Sequence, residues 1–252
     1  MMLVEQTLEY LRKMKLGAIA DEYERQIGDP QARALSFDDR LGLMVDIEYA
    51  RRRNGRLDRL VKHAGFTDKN ACVENIAYLP QRDLQPAQIQ MLASCAYIER
   101  RLNVQLLGAT GVGKSYIANA LGLSACRNGY SVKYTNLQDM LTSLLIAKNN
   151  GTFNQVFSEY SRLKLLIIDD WLMFEIVDEA EAAVLYQIVE ARKYEGAMII
   201  CSQIGPEGWH TRISNKIAAD SICDRLVNSS YKLVIKGEMR KEISRQVFFA
   251  EA

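Results

Sequence analysis

The chain has 252 residues, a formal net charge of +1, and 48% hydrophobic against 25% charged residues. This is globular composition and excludes global disorder; the near-neutral charge excludes a uniformly basic coat for nucleic acid, leaving room only for a local basic stripe. The longest apolar stretch, Leu163 to Phe174, is interrupted by Lys164, Asp169 and Asp170 and falls short of the roughly 20 apolar residues of a membrane span.

No basic-then-apolar leader opens the chain. Five scattered cysteines without a CxxC spacing read as reduced thiols of a cytoplasmic protein, and two histidines are too few for a zinc site or a histidine-based triad.

Apolar spacing predicts one helix over residues 3–27, ended by Gly28-Asp29-Pro30. Ser36 and Asp39 predict the N-cap and acidic first turn of a second helix, which runs to Gly65. A shorter helical piece is expected over 70–78. No strand signal precedes residue 80, so residues 1–80 are predicted to form a small all-helical domain. A connecting helix is expected over 86–101. Beyond it, apolar runs at 104–107, 132–134, 165–168, 198–201 and 232–235 alternate with helical patterns at 116–128, 137–148 and 179–194. That alternation predicts an α/β domain over 81–252, with a five-stranded, mainly parallel sheet between helices. Residues 137–166 exceed what one crossover helix needs and break at Asn149-Asn150-Gly151-Thr152.

Gly108-Ala109-Thr110-Gly111-Val112-Gly113-Lys114-Ser115 matches GxxxxGK[ST], with a strand pattern leading in and a helix pattern leading out. Glycines let the backbone curl so that its N–H groups face phosphate oxygens, and the helix N-terminus adds partial positive charge. Lys114 is expected on the β and γ phosphates of ATP, and the Ser115 hydroxyl on Mg²⁺.

The strand at 165–168 ends in Asp169-Asp170. In a parallel sheet this places two carboxylates at the carboxyl edge, where ligands bind. Beside a phosphate loop, Asp169 is expected to hold Mg²⁺ through water and Asp170 to orient the attacking water. A helix N-cap is the plainer role of such a pair. Ser202 and Gln203 follow the strand at 198–201, where a polar group is expected to reach a γ-phosphate or its water, a polar strand terminus being the plainer role. Spacing alone makes Arg225 a surface salt-bridge partner.

Asp169-Asp170-Trp171, Cys201-Ser202-Gln203 with Trp209-His210, Asp224-Arg225-Leu226 and Lys236-Gly237-Glu238-Met239-Arg240, in this order, resemble the IstB family. These are AAA+ ATPases that help bacterial insertion sequences transpose, related to DnaC-type helicase loaders. The likeness extends to Tyr49-Ala50-Arg51-Arg52-Arg53 and Ala64-Gly65-Phe66. It implies a Walker A loop at 108–115, a Walker B magnesium residue at Asp169, sensor 1 at Ser202 with Gln203 its rival, and a trans-acting arginine finger at Arg225. Arg240 stands where a sensor-2-like arginine would contact nucleotide. Asp170 replaces the glutamate of many relatives and is one methylene shorter, which implies slow intrinsic hydrolysis. Only about seventeen residues follow Ile235, too few for the full helical lid of most relatives.

Arg51, Arg52, Arg56, Arg59 and Lys62 fall within an arc of about 140° on a helical wheel, with Arg53 beside them and Leu57, Leu60, Val61 and Ala64 opposite. Such a face suits duplex phosphates, though a solvated charged face has the same pattern. Together with the resemblance, the reading is an ATP- and Mg²⁺-dependent homo-oligomer that assembles on duplex DNA and assists a transposase. The alternative is a helicase loader on single-stranded DNA. A P-loop kinase is disfavoured because no acceptor site or arginine-rich lid is visible.

Overall fold

A computed structural model gives the structure of the chain and describes residues 2–228 and 230–237. The chain divides into two compact units, residues 1–59 and 60–252.

The first unit is helical: α1 (Met2–Lys13), α2 (Gly17–Gly28), α3 (Pro30–Arg33) and most of α4 (Phe37–Ala64). Where one helix was expected over 3–27, the chain turns at Lys15, which takes φ +60. Leu16 N donates to Leu11 O at 2.9 Å and closes the turn, a helix C-terminus made without glycine. Asp29 caps α3 through Gln31 N, and Ser36 Oγ caps α4 through Asp39 N.

The corner between α1 and α2 is docked on α4 by three charged side chains. Glu48, 4% exposed, accepts from Ala18 N at 3.1 Å in the first turn of α2. Arg51 and Arg52 both bond the Glu48 carboxylate, at 2.7 Å each, and both donate to the Lys15 carbonyl in the turn after α1. These hydrogen bonds hold the Glu48 carboxyl down at a pKa of about 2.

The second unit holds five parallel strands: β1 (Asn103–Leu107), β2 (Val132–Asn136), β3 (Leu165–Asp169), β4 (Ala197–Ser202) and β5 (Ser230–Val234), in the order β2-β3-β4-β1-β5. Between them come α7 (Lys114–Arg127), α8 (Leu137–Asn149), α9 (Phe153–Ser161), α10 (Glu179–Glu195), the short α11 (Pro206–Trp209) and α12 (Lys216–Val227). Every residue of β1, β3 and β4 is buried, as a sheet covered on both faces requires. Leu166 and Ile168 join the apolar cluster of α8, α10 and α12. Ile167 points the other way, onto α7, where a Cβ on Gly122 would meet its Cδ1 at 2.8 Å. The extra helix after the Asn149–Thr152 break is α9. Buried Arg192 ties it to the sheet by donating to the carbonyls of Tyr160, Ser161, Leu163 and Ala197.

Two expectations before β1 differ. Residues 70–78 hold one 3-10 turn, Val73–Asn75, and 86–101 hold two short helices, α5 (Pro86–Ala93) and α6 (Ala96–Glu99), separated by Cys95 at φ +65. The units also meet about twenty residues before the expected boundary at 80/81. The cause is packing: Phe66 lies against Gly122, Thr67 is clasped by Asn119, and Cys72 N donates to the Tyr116 hydroxyl, all on α7.

Candidate functional site

Parallel pairing brings the carboxyl ends of the strands to one edge. Leu107 is registered with Ser202, and Asn136 with Asp169. The loop 108–113 leaves β1 at this edge and enters α7, and Gly108 N donates to Ser202 O at 3.2 Å. Gly108 must be glycine: at φ +153, a Cβ would lie 2.2 Å from Ile235 O. Gly111 and Gly113 also take positive φ, +83 and +94. Ala109, Thr110 and Val112 complete the curl. Lys114 is buried, and its Nζ donates to Gly108 O at 2.7 Å and Ala109 O at 2.8 Å. Burial pulls its ammonium below the ordinary lysine value, with Asp169 and Asp170 opposing. Ser115 is exposed at the head of α7.

Asp169 is buried at the end of β3. One carboxylate oxygen accepts from Asp170 N at 2.9 Å, and the other accepts from the hydroxyl of Tyr134, the middle residue of β2. Tyr134 carried no sequence signal because its partner lies on the neighbouring strand. Asp170 follows at φ +50, and its carboxyl is raised by desolvation and by Asp169, with Lys114 opposing. The Ser115 hydroxyl and the Asp169 carboxylate are hard oxygen donors suited to Mg²⁺. Among the described residues no cluster of three or more His, Cys, Asp or Glu forms, so phosphate oxygens and water would have to complete the shell.

Ser202 is at the same edge but is enclosed. Its Oγ donates to Trp171 O at 3.1 Å and accepts from Trp209 Nε1 at 3.2 Å and Ile204 N at 3.3 Å, beneath an edge-on Trp171–Trp209 pair. Those three contacts use its hydrogen-bonding capacity. Gln203, the next residue, is exposed.

Arg225 is not at this edge. Near the end of α12, its carbonyl accepts from Asn103 Nδ2 at the start of β1, one strand length from the phosphate loop. Its guanidinium pairs with Glu190 on α10, stacks over the Tyr186 ring at 5.5 Å and donates to Ser221 O. It borders a cavity of about 430 Å³ that Arg100, Arg101, Arg192 and Lys193 also line. Of the basic residues on α4, Arg51, Arg52, Arg53, Arg56, Arg59 and Lys62 are exposed, and Arg51 and Arg52 also pair with Glu48. Arg240 lies outside the described residues.

Residues 9–247 match the family model of the IstB-like ATP binding protein. An insertion-sequence ATP-binding protein of Pseudomonas fluorescens is 37% identical over 81% of this chain and 87% of its own length. A second, of Sinorhizobium fredii, is 31% identical over 97% and 99%. Among solved structures, AMPPCP-bound DnaA from Aquifex aeolicus superposes with a TM-score of 0.58 at 19% identity, over 73% of this chain and only 56% of the DnaA chain. The DnaC helicase loader gives 0.57 at 16% identity, over 66% and 97%. Those likenesses establish an AAA+ fold, and the sequence relatives establish more: the chain belongs to the IstB-like ATP-binding protein family.

Proposed function

We propose that this chain is a DNA-dependent ATP hydrolase that assembles with ATP and Mg²⁺ on duplex target DNA and assists a transposase. The observation that carries the reading is the division of the site between two edges of one sheet. The phosphate loop, Asp169 and Asp170 share the carboxyl edge, while Arg225 is anchored at the amino edge. Strands of five residues separate them by roughly 16 Å, too far for Arg225 to serve its own loop. A second copy can supply it, so nucleotide and assembly become linked.

In this reading Lys114 leaves the two loop carbonyls for phosphate oxygens. Bound Mg²⁺ would neutralise phosphate charge, with Ser115 and Asp169 as its protein donors and Tyr134 orienting the Asp169 carboxylate. Asp170 accepts the proton of the attacking water, and Gln203, rather than enclosed Ser202, reaches the γ-phosphate or that water. Arg225 of a neighbour stabilises the charge that develops in the transition state. The insertion-sequence relatives support the transposition role.

The test compares labelled duplex with single strand of equal length, at fixed salt, in ATP and in ADP. Duplex affinity that rises with ATP and falls in ADP is expected, together with ATP turnover that requires no acceptor. Lys114→Ala should abolish the ATP-supported assembly. Single-strand preference would favour a helicase-loader role, and oligomers that persist in Lys114→Ala would break the link between nucleotide and assembly.

A further inference from the structure

Arg82 lies on a 3-10 turn, Pro80–Arg82, in a stretch that carries no nucleotide motif. It is only 2% exposed, and its guanidinium runs against the phosphate loop. Nη2 donates to Val112 O at 2.7 Å, and Nη1 donates to Ala77 O. A Cβ placed on Gly113 would lie 3.0 Å from Nη2. The backbone of Arg82 is fastened as well, since its carbonyl accepts from Lys236 N at 3.0 Å.

The Val112–Gly113 peptide is planar, so its N–H points opposite its C=O. Fixing the carbonyl on Arg82 therefore turns the Gly113 N–H to the other side of the loop. In a nest of successive N–H groups, that side faces the anion. Glycine at 113 suits the contact, since a Cβ there would press on the guanidinium and any side chain would be strained at φ +94. The buried guanidinium adds a fixed positive charge behind the loop.

We propose that Arg82 is a positioning residue for nucleotide di- and triphosphates: through the Val112 carbonyl it holds the loop in its anion-binding shape before nucleotide arrives. This rests on the loop binding nucleotide phosphates. Lys114 touches the phosphates, whereas Arg82 acts through the backbone.

The experiment is equilibrium binding of fluorescent ADP and of a non-hydrolysable ATP analogue to the full chain, with hydrogen–deuterium exchange of residues 108–115 in nucleotide-free protein. Arg82→Gln is too short to reach Val112 O. It should weaken both nucleotides about tenfold and speed exchange in the loop selectively, since a hydrogen bond from a charged donor is lost. Arg82→Lys keeps the charge but not the fork, and should lose about threefold. Arg82→Gln with unchanged affinity and unchanged loop exchange overturns the inference. If that variant fails to fold, Arg82→Lys decides, and wild-type affinity with wild-type loop exchange is then the overturning result. Lys114→Ala runs alongside. Loss of binding there, with none in the Arg82 variants, removes only the Arg82 inference. Full binding by Lys114→Ala removes the phosphate-loop reading and the Arg82 inference with it.

Discussion

In the proposed hydrolysis Asp170 is the general base, which must be deprotonated to work, and its surroundings resist deprotonation. Desolvation and the Asp169 charge raise its carboxyl above the ordinary aspartate value. Turnover should therefore fall on acidification through a pKa higher than the usual value of about 3.9, and flatten above it. Asp170→Asn should remove that acid limb and lower turnover by roughly 10²–10⁴, while nucleotide affinity changes little. A pH–rate profile of both proteins checks this, and retained turnover in Asp170→Asn places the base elsewhere. Residues of this kind were legible in the sequence because the chemistry demands their types: glycines at positive φ, one lysine, one hydroxyl, paired carboxylates. Ser202 and Gln203 were not separable that way. What encloses Ser202 is Trp171 and Trp209, and both arrive through the folded chain rather than through the strand. Arg82 and Tyr134 stayed hidden for the same reason.

On the scale of an element, α4 carries two kinds of arginine that a helical wheel cannot tell apart. Arg51 and Arg52 face the α1–α2 corner, where each donates to buried Glu48 and to the Lys15 carbonyl. Arg59 donates to a carbonyl of its own helix, Gly55 O, and Lys62 is exposed. The pairs should respond differently to alanine. Arg51→Ala/Arg52→Ala should lower the melting temperature, because the Glu48 carboxylate then loses its side-chain donors. Arg59→Ala/Lys62→Ala should leave thermal unfolding within about 0.5 kcal/mol of wild type. It should also flatten the salt dependence of duplex binding by about 0.9 per lost phosphate contact. Melting curves and a salt titration of duplex affinity read both. An unchanged salt slope in the second variant would leave that face merely solvated. The ends of α4 were legible, at the Ser36 cap and at Gly65, because both are local chemistry. The break between α1 and α2 was not, since a lysine takes the left-handed turn where glycine would have signalled it.

For the whole molecule, the parallel sheet sets both what was legible and how copies can cooperate. Alternating apolar runs and helical patterns announced the sheet, but strand order and the two edges follow from pairing between distant segments. That pairing puts Arg225 at the edge away from its own loop, where Glu190 and Tyr186 hold it. A site completed by a neighbour makes a prediction that a self-contained site does not. Lys114→Ala lacks the phosphate contact but keeps a sound Arg225, and Arg225→Ala keeps a sound loop but lacks the donor. Each alone should lose turnover, the second by a factor of about 10³ if it matches other arginine fingers. Mixed at equal concentration with ATP, the two should regain turnover, because some junctions then join an intact loop to an intact Arg225. Only the junction of an Arg225→Ala loop with the Arg225 of a Lys114→Ala copy is productive, so recovery should be partial and should depend on the mixing ratio. Coupled ATPase assays over a range of mixing ratios measure it. Recovery that peaks near equal proportions supports completion in trans; a mixture no more active than its parts assigns Arg225 to its ion pair with Glu190 alone.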